Sequence, residues 1–196
     1  MDEWVHRFGR TERFTHWWTV GTLGLALVSG LTMEDRHGPL FTVHAGAIAA
    51  LVAGLGAAAA VGDRRAIATA TRQLLVFDRR DRAWLAATAR HPLRRAPEPA
   101  WGMFNAGQKA LAWALGGAVL GVITTGLLAW TVGLDGGLHV AFVLAAGALL
   151  AGHVFMAVVN RATRHALNGM VFGRVRRSWA LVHHAEWAHR APATRP

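Results

Sequence analysis

Four stretches of the chain, 14–33, 40–61, 110–132 and 138–159, are apolar around the whole helical circumference rather than along one stripe. A single apolar stripe marks a helix lying on a soluble core, whereas all-round apolarity marks one embedded in lipid. Each stretch reaches the roughly 20 residues that cross the hydrocarbon at about 1.5 Å per residue. Histidines are the only strongly polar side chains inside them. A water-soluble bundle would keep too little polar surface, so the pattern predicts an all-α fold, an integral membrane four-helix bundle forming one domain over 1–196. The first stretch is too long for a signal peptide, carries a histidine, and follows a lead-in diluted by Asp2, Glu3 and Glu12; it reads as a retained helix.

Between the second and third stretches lies a 47-residue connection, 62–108. Its segments 64–77 and 83–90 mix apolar and basic residues as surface-lying helices do. His91-Pro92 and Ala96-Pro97-Glu98-Pro99 then break the chain before Trp101. A connection this long suggests a docking or gating role.

The charge balance, 21 Lys and Arg against 11 Asp and Glu, would ordinarily suggest nucleic acid. Its distribution says otherwise. All but one of the cations fall in the N-terminal segment, the long connection with Lys109 at its edge, and the tail; Arg36 alone lies in the short connections. The positive-inside rule therefore places both termini and the long basic loop in the cytoplasm, as in a multi-pass protein of the bacterial inner membrane. The basic excess is a topology signal with some attraction to anionic lipid, and no nucleic-acid partner is expected. Trp17, Trp18 and Trp130 sit near span ends, where indoles favour the interface. The absence of cysteine excludes disulfides, thiolate metal sites, iron–sulfur ligation and C-x-x-C-H haem attachment.

Of eleven histidines, His16, His44, His139 and His153 lie inside the spans or at their ends, where an ionisable group points by default to function. The predicted topology sorts them by depth. His16 and His153 fall near the cytoplasmic face, and His44 and His139 near the outer face, each pair drawn from different helices. His139 and His153 are 14 residues apart, about 21 Å along a helix and within roughly 40° of the same direction. One helix thus offers a ligand to each of two stacked sites. Zinc would want three or four ligands, and a proton relay usually recruits carboxylates; neither is available at these depths. Two haems b, each held by two axial histidines in the bundle core, fit best. Gly21, Gly24, Gly46, Gly116, Gly117, Gly121, Gly126 and Gly147 either make room for flat macrocycles or serve plain helix packing, and Arg10, Arg13 and Arg36 are candidate propionate partners.

The segments RFTHWW (13–18), FNAGQKALAW (104–113), ITTGLLAW (123–130) and VRRSWALVHHAEW (175–187), with the His44 segment and the His139/His153 step, resemble the cytochrome b (gamma) subunit of membrane-bound formate dehydrogenases, within the four-helix bacterial dihaem cytochromes b. The resemblance implies a membrane anchor that takes electrons from an iron–sulfur subunit, itself served by a molybdenum- or tungsten-containing catalytic subunit, and delivers them to quinone. It implies that the His44/His139 haem receives electrons and the His16/His153 haem passes them on near the cytoplasmic face. Asn105 and Gly107 carry over as quinone contacts, and Gln108 is added because its amide lies at the same mouth of the third span. Amide groups and a glycine N–H can hydrogen-bond a quinone carbonyl. Polar capping of the helix start is the competing role for these residues.

Two other readings stand beside this one. A free-standing dihaem cytochrome b would exchange electrons between a diffusible donor and quinone. A haem-free carrier would use the histidines for protons. In the leading reading the isolated chain performs no substrate chemistry beyond quinone reduction.

Overall fold

The computed structural model describes residues 3–34, 38–91 and 98–194. A short strand, β1 (Trp4–His6), leads into α1 (Arg10–Thr32) and α2 (Pro39–Val61). Two shorter helices, α3 (Arg64–Leu75) and α4 (Arg79–Arg90), occupy the long connection. Next come α5 (Ala106–Thr131) and α6 (Gly136–Val154), the latter running into a π-helical turn, Phe155–Val159. The tail holds α7 (Leu167–Phe172), β2 (Arg174–Arg176), α8 (Arg177–His183), α9 (Ala185–Arg190) and β3 (Ala193–Thr194). The predicted breaks at Pro92 and at Ala96-Pro97 fall outside the described residues.

Among the described residues three helices are long and apolar enough to cross a membrane: α2, α5, and α6 together with its π turn. α1 is as long as α2, at 23 residues, but His16, Trp17, Trp18 and a run of threonines dilute it. Those hydroxyls are satisfied within the helix. Thr15, Thr19 and Thr22 each donate to the carbonyl four residues earlier at 2.8 Å, and Ser29 does so to Leu25 at 2.7 Å. A helix whose polar groups are closed internally remains compatible with lipid.

Side-chain caps start α3, α4, α5 and α6. Asp135 accepts from the Gly137 N–H at 2.8 Å, and Asp63 from those of Arg65 and Ala66 at 3.0 Å. At the far end of α2, Arg64 donates to the Ala59 and Ala60 carbonyls at 3.1 and 2.8 Å, satisfying acceptors the helix leaves open.

The long helices pack as two hairpins, α1 along α2 and α5 along α6. Glycine permits the close approach in each. A Cβ at Gly54 would overlap the Trp18 indole, and one at Gly121 would overlap the Phe142 ring. Trp18 lies flat enough on α2 for its Nε1 to donate to Ala50 O at 2.9 Å.

The chain is mostly helical, as expected, and carries one small sheet besides. β1 pairs with both tail strands in a three-stranded antiparallel sheet of order β2-β1-β3, with Val5 opposite Val175 and Ala193. Val5 and Val175 of the sheet form one fully buried cluster with Ala180 of α8 and Ala188 of α9, flanked by Trp179 and Trp187. Local propensity does not reveal this sheet, because its strands are three residues or fewer and join segments about 170 positions apart. The sheet belongs to a polar cap at one end of the hairpins. Arg80 of α4 meets Glu186 of α9 at 2.8 Å, Trp113 Nε1 of α5 donates to Leu75 O at the end of α3 at 2.9 Å, and Arg13 Nη2 of α1 donates to Val171 O of α7 at 2.5 Å.

Candidate functional site

His16 of α1 and His153 of α6 face each other with ring centres 6.2 Å apart and planes crossed at 61°. His44 of α2 and His139 of α6 do the same at 6.4 Å and 83°. An imidazole nitrogen binds its metal at about 2.0–2.1 Å and the ring centre lies roughly 1.2 Å behind it, so rings on opposite sides of one iron have centres about 6.4 Å apart. Both pairs have that spacing, and rotation about the nitrogen–metal axis leaves the angle between planes free. The residues present therefore fit two bis-histidine haems. Among the described residues, no cluster of three or more His, Cys, Asp or Glu could hold a bare metal ion.

α6 supplies a ring to each pair from one face. Its half-buried positions, including His139, Phe142, Val143, Ala146, Gly147 and His153, recur every three or four residues, and both histidines fall within the regular helix. The 14-residue step thus keeps the direction expected of it.

The pair remote from the cap is oriented through its second nitrogens. His44 Nδ1 donates to Ala26 O of α1 at 2.8 Å, and His139 Nδ1 to Val122 O of α5 at 3.0 Å, with Thr125 Oγ1 3.3 Å away. A proton held on Nδ1 leaves the Nε2 lone pair for a metal. Four residues beyond each acceptor stands a glycine. A Cβ at Gly30 would come 3.1 Å from the His44 ring, and one at Gly126 would come 3.0 Å from that of His139. Of the other glycines expected to make room, Gly21, Gly24, Gly46, Gly116, Gly117 and Gly147 have no atom of the described residues within 4 Å of an added Cβ.

The propionate candidates fare differently. Arg13 is committed to the tail, donating to Met170 O at 3.3 Å and Val171 O at 2.5 Å. Arg10 is exposed at the start of α1, and Arg36 lies outside the described residues. Trp17, next to His16, also donates to Met170 O, at 3.0 Å, so α7 buttresses the first helix at the level of His16 and His153.

Asn105 and Gln108 form a reciprocal capping box at the start of α5. Asn105 Oδ1 accepts from the Gln108 N–H at 2.9 Å, and Gln108 Oε1 from the Asn105 N–H at 3.0 Å. Capping spends the two side-chain oxygens and leaves both amide NH2 groups as donors. A Cβ at Gly107 would meet the edge of the Trp84 indole at 4.0 Å.

The backbone leading to this turn is pinned by three successive carbonyls. Trp101 O accepts from the N–H groups of Glu186 and Trp187 at 3.1 and 3.4 Å, Gly102 O from His184 Nδ1 at 2.9 Å, and Met103 O from Arg7 Nη2 at 2.8 Å. Arg7 also donates to His184 Nε2 at 3.1 Å and lies 5.4–5.5 Å from the ring centres of Phe8, Trp179 and Trp187. Burial lowers the Arg7 pKa to about 10. Burial first, then the Arg7 charge, pushes His184 down to about 3, so its imidazole is neutral and accepts from the guanidinium.

Sequence reasoning left Arg7 and His184 among topology charges and tail histidines. The signal that could have found them is the Trp-x3-His-His spacing, which puts bulky aromatics into a tail that would otherwise be solvated. The Lys109–Asp81 pair, 2.5 Å apart with side chains 11% and 2% exposed, was likewise invisible, because its partners come from different helices.

Facing imidazoles at iron-ligating distance, set between lipid-compatible helices, are the architecture of a membrane cytochrome b. The chain belongs to the prokaryotic cytochrome b561 family, whose model matches residues 7–173. It is accordingly a membrane cytochrome that carries haem b in electron transfer. A search among curated proteins returned no match.

Proposed function

We propose that the chain is the dihaem membrane anchor of a formate dehydrogenase-type complex, passing electrons from an iron–sulfur subunit through two haems b to membrane quinone. The observation that carries this reading is the pair of ring separations, 6.2 and 6.4 Å, at two levels of the bundle. His44 and His139 hold the haem remote from the cap, and His16 and His153 the one beside it. Bound there, haem would supply a one-electron iron couple suited to electron transfer.

Four crossings are supported by the gathering of the N-terminal segment, the long connection and the tail in one cap. Two segments flanking a hairpin reach the same end only if both of its helices cross. α1 therefore spans with α2, as α5 does with α6, and the Lys and Arg distribution makes the cap end cytoplasmic. Asn105, Gly107 and Gln108 then lie at the cytoplasmic mouth of α5, where the free amide donors meet a quinone carbonyl. A second reading is favoured by the brevity of the connection between α5 and α6, which offers a partner little surface on the outer side. In that reading the chain is a free-standing dihaem cytochrome b. Co-purification with iron–sulfur and molybdenum- or tungsten-containing subunits decides between the two.

The test of the shared core is haem stoichiometry by pyridine haemochrome on the purified chain. Two haems per polypeptide are expected; one or none overturns the reading.

A further inference from the structure

Beside the mouth of α5 lies a cleft of about 560 Å³, with Asp78 and Arg80 at its rim, Trp101 and Phe104 on its wall, and Asp81 and Lys109 in its lining. The rim is open, the side chains of Asp78 and Arg80 being 48% and 52% exposed, whereas the Lys109–Asp81 pair is almost wholly enclosed. Asp81 Oδ2 also accepts from the Asp78 N–H at 2.8 Å, so the carboxylate closes the first turn of α4 while it holds the ammonium of α5.

We propose that Lys109 and Asp81 form the relay that carries protons from the cap end of the molecule to the quinone. This rests on the quinone reading above. Reducing a quinone consumes two electrons and two protons and turns both carbonyl oxygens into hydroxyls. The electrons are those the cytochrome delivers. The spans supply no carboxylate or further lysine, and their four histidines are committed as ligands, so the protons enter from the end of the bundle. Lys109 stands one helical turn from Asn105 on the same face of α5 and lines the cleft. It gives a proton to the reduced quinone oxygen and recovers one from cleft water past Asp81, twice for each quinol. The other charged groups lining the cleft are Arg72 of α3, Asp78 and Arg80 of α4, and Glu186 and Arg190 of α9. Burying an ion pair is costly, and apolar side chains would tie α4 to α5 more cheaply; a proton-handling role accounts for the choice.

The discriminating variant is Lys109→Arg, which keeps the ion pair but holds its proton at every working pH. Full-length, haem-loaded protein is reduced with dithionite and then mixed with decylubiquinone or with ferricyanide, which takes up no proton. Reoxidation of the b-haem band is followed between pH 6 and 9, with a pH-indicator dye recording proton uptake. The expected result is unchanged haem content and unchanged ferricyanide reoxidation. Reoxidation by decylubiquinone and the matching proton uptake slow at least tenfold, more so toward high pH. Decylubiquinone rates and a pH profile equal to the parent's would overturn the relay. Should Lys109→Arg lose haem, Asp81→Asn, which keeps the capping oxygen, is read by the same two criteria. A parent protein that ferricyanide reoxidises but decylubiquinone does not would instead overturn the quinone reading itself.

Discussion

His44 and His139 face each other across two hairpins, and each is steadied in the same way by its own hairpin. A carbonyl on the preceding helix, Ala26 O or Val122 O, takes the Nδ1 proton, and a glycine four residues further, Gly30 or Gly126, leaves room for the ring. His16 and His153 are placed instead by what surrounds the cap, with α7 lying against Trp17 and Arg13. The two sites therefore have separable supports, and their losses are expected to separate.

His153→Ala removes the ring that faces His16 and leaves His44 and His139 untouched. Pyridine haemochrome should fall from two haems per chain to one, with quinone reduction abolished. Retention of both haems, or loss of both, would contradict the pairing by depth.

Gly126→Ala drives a methyl group to 3.0 Å from the His139 ring. Overpacking of this kind costs about 1–3 kcal/mol, and the ring bears it directly. The haem remote from the cap should bind more weakly or change its potential, seen as a shift of one of two steps in a redox titration. Gly56→Ala, where an added Cβ meets nothing within 4 Å, should leave both steps in place.

Asn105 has two roles that one pair of variants separates. Asn105→Ala loses the cap and should cost about 1 kcal/mol of stability, whereas Asn105→Ser keeps a capping oxygen. Neither carries the amide donor. Both variants should keep two haems and slow quinone turnover, but only the alanine should lower the melting temperature. Normal turnover in Asn105→Ser would reduce the residue to a helix cap.

The cap should weaken in acid. His184 is held neutral with its pKa depressed to about 3, whereas in the unfolded chain it takes a proton near the ordinary value of about 6.5. Between those values the unfolded state binds more protons, so stability rises with pH and is lost as pH falls from about 6.5 toward 3, by at most about 1.4 kcal/mol per unit. Melting curves of the parent should show this slope within that window, and His184→Gln, which does not titrate, should flatten it. An equal slope in the variant would detach the acid sensitivity from His184.

The long helices and the four facing histidines were legible in the chain because lipid imposes a one-dimensional rule. A crossing helix needs about 20 apolar residues, and a 14-residue step returns to nearly the same face whatever packs around it. α3 and α4 were legible for a related reason: their alternation of basic and apolar positions suits an interface, and Asp63 and Asp78 cap them locally.

What only the tertiary structure decided depends on contacts between segments far apart in sequence. The strand pairing of Val5 with Val175, the Arg7–His184 contact and the Lys109–Asp81 pair each join residues whose local surroundings are unremarkable. The same holds for the fine structure of the histidine sites. Composition could place His44 at a depth, but the carbonyl that takes its proton is 18 positions away in chain order. It comes near only because α1 and α2 fold back on each other, so the tautomer, and with it the ring nitrogen left free, is settled by packing.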